Sequence, residues 1–294
     1  MKKKLEARVF FFFVAALLAS GSHGSKQSDN RTKNRAALFI FGDSLLDAGN
    51  NNYINTSTLD QANFWPYGET FFNFPTGRFC DGRLISDFIA EYANLPLIEP
   101  YLQPGNNQYY YGVNFASAGA GALVETFQGF EIYRKGGRKF GVINSLPLGC
   151  VPGPRLLGNG TCFHKLSQLA VLHNRTLSLA LSHLHKHLPG FKYSLYDLYT
   201  EGIRRINHPS KFGFKEGKRA CCGSGPYRGQ ATCGGRRGQK YFELCEEPNH
   251  YLFWDSVHFT EFAYKQFAAQ LWGSHTSNSN SVKPYTLSHL FQDL

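Results

Sequence analysis

No segment of this 294-residue chain is apolar for long enough to cross a membrane as a helix, because such a span needs at least ~18 consecutive apolar residues. The longest apolar run covers residues 9–19 and follows the cationic residues Lys2–Lys4 and Arg8. A cationic start, a short apolar stretch and small residues after it are typical of a secretory signal peptide. We therefore predict a signal peptide over residues 1–24, a polar linker over residues 25–35, and a secreted protein without a transmembrane segment.

Charged residues are scarce, at 18% of the chain, and the basic cluster at residues 134–139 is typical of a solvated turn. The net charge is +10, but the positive residues are scattered, which excludes the electrostatic footprint of a nucleic-acid-binding protein. A basic excess favours association with acidic cell-wall or membrane surfaces. The hydrophobic content of 42% excludes a disordered chain and is sufficient for a large core.

The seven cysteines lack the short Cys-x(2–4)-Cys spacing that grips a tetrahedral zinc ion. All seven follow the predicted signal peptide, and an oxidising compartment would pair most of them. Nearness in sequence favours two sets of disulfides: Cys150 with Cys162, and pairs within the group Cys221, Cys222, Cys233 and Cys245. The odd number leaves at least one free thiol, for which Cys80 is the first candidate.

Asn-x-Ser/Thr sequences occur at Asn30, Asn55, Asn159 and Asn174. Each is a possible acceptor for an N-linked glycan once the chain enters the secretory lumen. Together with the cysteines, these four predicted glycosylation sites favour an extracellular location, such as the apoplast.

Strand and helix patterns alternate along the rest of the chain, which predicts one α/β domain over residues 36–272. Strands are expected at residues 37–41, 140–143 and 193–198, and helices at residues 84–93, 164–188 and 260–272. Leucines on one stripe of the 164–188 helix are expected to face the core: Leu166, Leu169, Leu172, Leu177, Leu181, Leu184 and Leu188. An irregular loop held by disulfides is expected at residues 213–240, and a polar, frayed tail at residues 273–294.

Two short motifs contain the residue types of a serine nucleophile and its base. Residues 41–44, Phe-Gly-Asp-Ser, end the first predicted strand, where ligands bind in open α/β sheets. Alone, Ser44 could equally be the N-cap of a following helix. The second motif places Asp255 three residues before His258, so that Asp255 can accept from the Nδ1 side of the imidazole while Nε2 faces a serine. We predict a catalytic triad of Ser44, Asp255 and His258.

Other motifs are absent or ambiguous. A Gly-x-Ser-x-Gly elbow is missing, which disfavours the α/β-hydrolase layout. Asp47 either holds the turn under Ser44 or is an acid in the first turn of a helix, and both interpretations stay open. His183 and His187 share a helix face, but the polar face of an amphipathic helix normally carries such residues, so no metal site is predicted.

Ordered blocks of this sequence resemble those of the plant GDSL-type (SGNH-hydrolase) esterase/lipases. The blocks are residues 41–44, 74–83, 112–121, 147–152, 220–223 and 244–245, followed by the Asp255 and His258 pair. The resemblance extends from residue 37 to about residue 272. It implies a three-layer α/β fold with a flavodoxin-like sheet and helices on both faces, an acyl or lipid ester as substrate, and no cofactor.

The same resemblance implies roles for individual residues. Ser44 attacks the ester carbonyl, His258 takes its proton and later delivers it to the leaving alcohol, and Asp255 orients the imidazole. The oxyanion is bound by the backbone N–H groups of Ser44 and Gly119 and by the side chain of an asparagine in a Gly-x-Asn-Asp block.

That Gly-x-Asn-Asp block is missing from this sequence. The chain passes directly from residues 126–129 to residues 130–139, where the family has several tens of residues that include a central strand and its helices. Without that strand, either strand 140–143 moves next to strand 37–41, or each is left with an unpaired edge. Three hypotheses follow: a secreted esterase with weakened activity, a non-catalytic apoplastic binding protein, and a shortened splice or gene-model product that does not fold stably.

Overall fold

The computed structural model describes residues 36–55, 60–106, 109–121, 132–273 and 281–292. The predicted signal peptide, the linker and Asn30 lie outside these residues. Strands are β1 (Leu38–Ile40), β2 (Gly112–Asn114), β3 (Lys139–Ile143), β4 (Lys192–Tyr196), β5 (Glu216–Ala220), β6 (Cys222–Gly223), β7 (Glu243–Leu244), β8 (Tyr251–Phe253) and β9 (Val282–Pro284). Helices are α1 (Ile85–Tyr92), α2 (Pro152–Leu157), α3 (His164–His187), α4 (Leu198–Asn207), α5 (Glu261–Trp272) and α6 (Leu287–Gln292). The α/β class is therefore confirmed.

The strands form several small sheets. β1 and β2 pair in parallel, as do β3 and β4, and β9 adds to β4 in the antiparallel direction. β5 pairs with β8 in parallel, and β6 pairs with β7 in the antiparallel direction. Within the described ranges no ladder joins β1 to β3. Strands β1 and β3 thus lie in separate sheets of the described chain, which agrees with the second of the two arrangements expected when a central strand is missing.

Strand β2 was not among the predicted strands, because it is short and carries a polar asparagine between glycine and the turn that follows. Its pairing depends on Gly112, which has a φ of +102° and lies so close to β1 that a Cβ atom there would collide with the Leu38 carbonyl. Only glycine combines this φ with so close an approach of two backbones. The strand is therefore specified by tertiary contact rather than by β propensity.

The main core lies where α1 and α5 pack against β1. Leu38 and Ile40 of β1, Phe88 of α1, and Phe267 and Leu271 of α5 are almost fully buried there. Helix α5 begins as predicted, because the Thr260 hydroxyl accepts a hydrogen bond from the backbone N–H of Ala263 and satisfies one of the free donors of the first turn.

The expectation of a frayed C-terminal tail is wrong for residues 281–292. β9 adds to the edge of β4, and α6 buries Leu287, Leu290 and Phe291 in the main core. These apolar residues are spaced by three and four positions, so one face of a short helix covers the core. The sequence predicts a tail here because polar residues dominate the stretch at 273–280.

Helix α3 differs from its prediction in which leucines it buries. Leu177 and Leu181 pack with Phe140 and Tyr193 of β3 and β4, whereas Leu169 and Leu172 are 62% and 61% exposed. The stripe is a property of the helix, but its burial depends on the neighbouring sheet. Among the described residues, that sheet covers the C-terminal half of the stripe, and the N-terminal half faces solvent.

The disulfides agree with the expected sets. Cys150 pairs with Cys162, and the C-terminal group divides into Cys221–Cys245 and Cys222–Cys233. Cys80 is a buried free thiol. The 213–240 region is more regular than predicted, because β5 and β6 lie inside it, and the backbone N–H groups of Cys221 and Cys222 donate to the carbonyls of Phe253 and Trp254.

A buried ion pair ties α1 to the loop after β1. The Arg78 guanidinium donates two hydrogen bonds of 2.8 Å to Asp87 and one of 3.1 Å to the Ala48 carbonyl. We expect Arg78→Met to lower the free energy of unfolding by about 3–5 kcal/mol, because it leaves the Asp87 carboxylate buried and unpaired. Urea denaturation would measure the change. The exposed Arg219–Glu243 pair supplies the control: Arg219→Met should cost less than about 1 kcal/mol, and equal losses would contradict the prediction.

Asp81 makes the stability depend on pH. Burial, together with the nearby Glu261 carboxylate, raises the pKa of Asp81 to about 6, although the Glu261 backbone N–H donates to it. Because the folded-state pKa lies above the unfolded value, the folded protein holds this proton more tightly, and stability is lost as the pH rises through about 6. We expect the free energy of unfolding to fall by about 1 kcal/mol between pH 5 and pH 7.5 through this group. Denaturation curves at both pH values test this. Asp81→Asn should reduce the slope, and part of the remaining slope comes from Glu69, whose pKa is raised to about 7 by burial and by the Asp81 charge. An unchanged slope in that variant would disprove the assignment.

Candidate active site

Ser44 lies in a tight turn directly after β1. The backbone N–H of Leu46 donates to the Asp43 carbonyl, and the N–H of Leu45 donates to the Asp43 carboxylate at 2.9 Å. No helix of the described chain begins at Ser44, since the next helical turn starts at Asn50. The N-cap interpretation of Ser44 is therefore not what the structure shows. The turn instead presents the hydroxyl at the carboxyl end of β1.

The structure brings the three predicted triad residues together across the fold. The Ser44 Oγ lies 2.8 Å from Nε2 of His258, and Nδ1 of the same ring lies 2.9 Å from each carboxylate oxygen of Asp255. The ring of Phe79 packs 5.0 Å from the imidazole ring. His258 thus connects a hydroxyl on one side to a buried carboxylate on the other.

Asp255 is held in its ionised form inside the protein. Its burial by itself raises the pKa of the carboxyl group, but His258 and the backbone N–H groups of Val257 and His258 more than offset burial, so the pKa lies well below its usual range. Both backbone groups donate to Oδ1 at 2.9 Å. An ionised acceptor on the Nδ1 side keeps the proton of a neutral imidazole there and leaves Nε2 free to accept from Ser44.

Asp47 resolves the ambiguity left by the sequence. Its carboxylate accepts from the backbone N–H groups of Gly49 and Asn50, and also from that of Ala118, at 2.6 to 3.0 Å. It therefore holds the turn after Ser44 rather than starting a helix. The same carboxylate connects this turn to the segment that carries Gly119.

Gly119, the predicted second oxyanion donor, lies in the segment that follows β2. Strand β2 pairs with β1, the strand that precedes Ser44. The backbone N–H of Ser117, two residues earlier, donates to the Gly42 carbonyl, two residues before Ser44. Gly119 has a φ of +87°, a conformation that favours glycine. The structure thus brings Gly119 to the same end of the β1–β2 sheet as Ser44.

Buried asparagines around this edge were missed from the sequence. The Asn50 amide donates to the carbonyls of Asn114 and Ala116, and the Asn51 amide donates to those of Asp60 and Ala118. The only signal for them was the run of three asparagines at 50–52. Buried amides of this kind fix the loops that surround a site, because each unmade hydrogen bond would be costly.

The side chain of Asn144, at the end of β3, is also hydrogen-bonded within the fold. Its amide donates to Asp197, and its carbonyl oxygen accepts from the backbone N–H of Tyr199 at the start of α4. A mainly apolar cavity of about 90 Å³ separates the end of β3 from the turn at Ser44. It is lined by residues that include Phe41, Leu45, Leu46, Ile143, Leu146 and Leu198.

Three of the predicted glycosylation sites fall within the described residues. Asn55 and Asn159 are exposed. Asn174 lies inside α3, where its side-chain amide donates to the Ser145 carbonyl and its oxygen accepts from the Ser145 N–H.

In α3, the rings of His183 and His187 stack 4.1 Å apart.

Serine hydrolases contain a serine hydroxyl that is hydrogen-bonded to an imidazole, whose other nitrogen is hydrogen-bonded to a buried carboxylate. No helix in the described part of the chain is long and apolar enough to cross a membrane.

Comparison with known proteins shows the family to which this chain belongs. The family model for GDSL-like lipase/acylhydrolase proteins matches residues 38–131 and 125–271. GDSL esterase/lipase 5 of Arabidopsis thaliana is 46% identical to this chain, with 96% of this chain and 95% of that protein covered. GDSL esterase/lipase 2 of the same plant is 40% identical, with 99% and 100% covered, and a GDSL lipase of Tanacetum cinerariifolium is 39% identical, with 99% and 95% covered. The chain belongs to the GDSL-like lipase/acylhydrolase family, which confirms the resemblance and the carboxylic ester hydrolase class that it implied.

The alignment with the first of these relatives also shows a difference in length. The alignment to the first relative spans 366 positions, whereas this chain has 294 residues, so at least 72 aligned positions have no counterpart here. The two matches of the family model meet at residues 125–131. This junction lies within residues outside the described ranges and coincides with the place where the sequence analysis expects the missing Gly-x-Asn-Asp block.

Proposed function

We propose that this protein is a secreted serine ester hydrolase that cleaves acyl or lipid esters with Ser44 as the nucleophile. The supporting observation is the hydrogen-bonded series from Ser44 through His258 to Asp255, with distances of 2.8 and 2.9 Å. No cofactor takes part in this proposal, since the serine, the imidazole and water supply all the groups that the reaction requires.

The proposed reaction has two halves. His258 takes the Ser44 proton at Nε2 as Oγ attacks the ester carbonyl, and it then delivers that proton to the departing alcohol, which leaves an acyl group on Ser44. A water molecule next gives a proton to the same nitrogen and attacks the acyl carbonyl. The carboxylic acid leaves, and the proton returns to Ser44. Asp255 stays ionised and stabilises the imidazolium in both halves.

The oxyanion in this proposal is bound by the backbone N–H groups of Ser44 and Gly119. The sequence lacks the Gly-x-Asn-Asp block that would supply a third donor, and among the described residues the amide of Asn144 donates to Asp197 instead. Loss of one oxyanion donor costs about 10²- to 10³-fold in turnover. The proposed enzyme is therefore slow, but it retains the groups that form the covalent intermediate.

Secretion is part of the proposal. It is supported by the three disulfides, which persist in oxidising compartments, and by the signal-peptide pattern of residues 1–24. Glycans are proposed at Asn30, Asn55, Asn159 and Asn174, of which Asn55 and Asn159 have exposed side chains. The basic net charge favours contact with acidic wall or membrane surfaces.

The test is covalent labelling of the chain from Ser25 onward with a fluorophosphonate. An assembled triad should give a phosphonylated serine, which peptide mass spectrometry would locate at Ser44, and the same preparation should hydrolyse p-nitrophenyl butyrate. Heat-denatured protein is the control for non-specific labelling. Label at other serines only would refute the proposal.

The missing oxyanion asparagine favours one other candidate, a secreted binding protein of the same family. A monodisperse, folded chain that neither takes up the label nor turns over esters would support that candidate. A chain that aggregates and lacks a cooperative unfolding transition would support the shortened, unstable product.

A further inference from the structure

We infer that Tyr67 and Arg237 form a positioning pair that holds the carboxylate of Asp255 against His258. The inference deepens the proposed function, because it adds two residues behind the proposed triad that do not contact the reacting atoms. Neither residue lies in a motif with an assigned role. Tyr67 contacts Asp255 directly, and Arg237 acts through Tyr67.

Tyr67 occupies the side of Asp255 that the backbone leaves open. Oδ1 accepts from the two N–H groups of Val257 and His258, whereas Oδ2 accepts the Tyr67 hydroxyl at 2.8 Å. Each oxygen is therefore anchored by a donor other than the imidazole. A carboxylate fixed at both oxygens cannot rotate away from Nδ1 of His258, and the position of the ring follows from it.

The surroundings of Tyr67 make this hydrogen bond difficult to replace. Tyr67 is 1% exposed, and its ring packs against Phe64, Phe79 and Trp254 at centroid distances of 5.3 to 6.2 Å. Burial, and then the Asp255 charge, raise the pKa of Tyr67, so the phenol keeps its proton and can donate. The rings of Phe64 and Phe79 carry no hydrogen-bonding group, so they offer no substitute donor if the hydroxyl is removed.

Arg237 supports the hydroxyl from behind. Nη1 donates to the Tyr67 oxygen at 3.2 Å, and Nη2 donates to the Gln61 carbonyl at 2.7 Å. A hydroxyl that accepts from a cation is polarised and becomes a stronger donor. The order of donation therefore runs from Arg237 to Tyr67 to Asp255, in the direction that stabilises the negative carboxylate.

The disulfide-linked loop holds Arg237 at this place. Arg237 lies between Cys233 and Cys245, which pair with the adjacent residues Cys222 and Cys221. Cys221 and Cys222 are themselves hydrogen-bonded to Phe253 and Trp254, immediately before Asp255. The disulfide-linked loop therefore has a role in the site, because it places Arg237 behind the carboxylate of Asp255.

The test is Tyr67→Phe, which removes the hydroxyl and keeps the ring. We expect kcat for p-nitrophenyl butyrate to fall about 10- to 100-fold, the range expected for one lost hydrogen bond to a charged group. KM should stay within about twofold, because Tyr67 lies behind Asp255, away from the substrate. Arg237→Met should lower kcat by a smaller factor, and Arg237→Lys, which restores a cationic donor, should recover part of the loss.

Two matched variants separate positioning from stability. Tyr196→Phe removes a buried hydroxyl that donates to Gln270 at 2.7 Å, and Arg236→Met alters the exposed neighbour of Arg237. Both should keep the kcat of the unsubstituted protein. If Tyr67→Phe loses stability as Tyr196→Phe does but keeps full kcat, the inference is wrong.

A readout that does not require turnover separates this inference from the proposed function. The proton shared by His258 Nδ1 and Asp255 should give a low-field proton resonance, which should shift or broaden in Tyr67→Phe and Arg237→Met but not in the two control variants. This holds even if the unsubstituted protein fails to hydrolyse esters. If Tyr67→Phe does not fold, the low-field resonance of Arg237→Met tests the inference instead. An unchanged resonance in that variant overturns the inference.

Discussion

Ser44→Ala should abolish ester hydrolysis and fluorophosphonate labelling while the protein stays folded. Only the Oγ of Ser44 lies within hydrogen-bond distance of His258 Nε2, at 2.8 Å, among the contacts of the described residues. Removing the nucleophile of a serine triad costs about 10⁶-fold in kcat. Since the missing oxyanion donor already slows the reaction, turnover of p-nitrophenyl butyrate should fall to the uncatalysed background.

Ser86→Ala is the matched control for this prediction. Ser86 is a buried serine of α1 whose hydroxyl has no hydrogen-bond partner among the described residues, so its loss should affect neither the fold nor the rate. Retention of more than about a tenth of the activity by Ser44→Ala would assign the chemistry to another group, since nucleophile removal costs far more than that.

Asp255→Asn should lower kcat by about 10⁴-fold, as the same change does in other serine triads, where it yields the wrong imidazole tautomer. Here the two backbone donors at Oδ1 favour the amide oxygen at that position. The amide NH₂ then takes the place of Oδ2, facing both His258 Nδ1 and the Tyr67 hydroxyl, which are both donors. The variant also loses the charge that stabilises the imidazolium.

Stopped-flow measurement of burst and single-turnover kinetics would measure the loss in kcat. Thermal unfolding would show that the fold persists. Asp197→Asn is a suitable comparison, because Asp197 caps α4 by accepting from Thr200 and an asparagine can retain that cap. A loss of less than tenfold for Asp255→Asn would mean that His258 is oriented by other groups.

Much of the candidate site was predictable because its signals are local. Asp255 and His258 lie three residues apart on one loop, and Ser44 follows an apolar strand, so a short stretch of sequence reveals each part. The helix over residues 260–272 and the Cys150–Cys162 disulfide are equally local. Nothing in the sequence alone could show that the two parts meet, since 214 positions separate the hydrogen-bonded Ser44 and His258.

Other features could not be predicted, because they depend on what packs against them. The leucines of α3 form one stripe in sequence, but the position of β3 and β4 decides which of them are buried. The segment over residues 281–292 has a polar composition around it, and its role became visible only through its pairing with β4 and its contact with the main core. β2 is defined by the close approach of Gly112 to Leu38.

By itself, the sequence determined the residue types of the site, the strand and helices with strong hydrophobic patterns, the sets of disulfides and the absence of the Gly-x-Asn-Asp block. Each of these features depends on a few neighbouring residues or on a recognisable sequence motif. The tertiary structure decided that β1 and β3 lie in separate sheets, that Asp47 connects the Ser44 turn to the Gly119 segment, and that Tyr67 and Arg237 lie behind Asp255. These contacts join positions far apart in the chain, and folding brings them together only because burial of the apolar core fixes the distances between the elements that carry them.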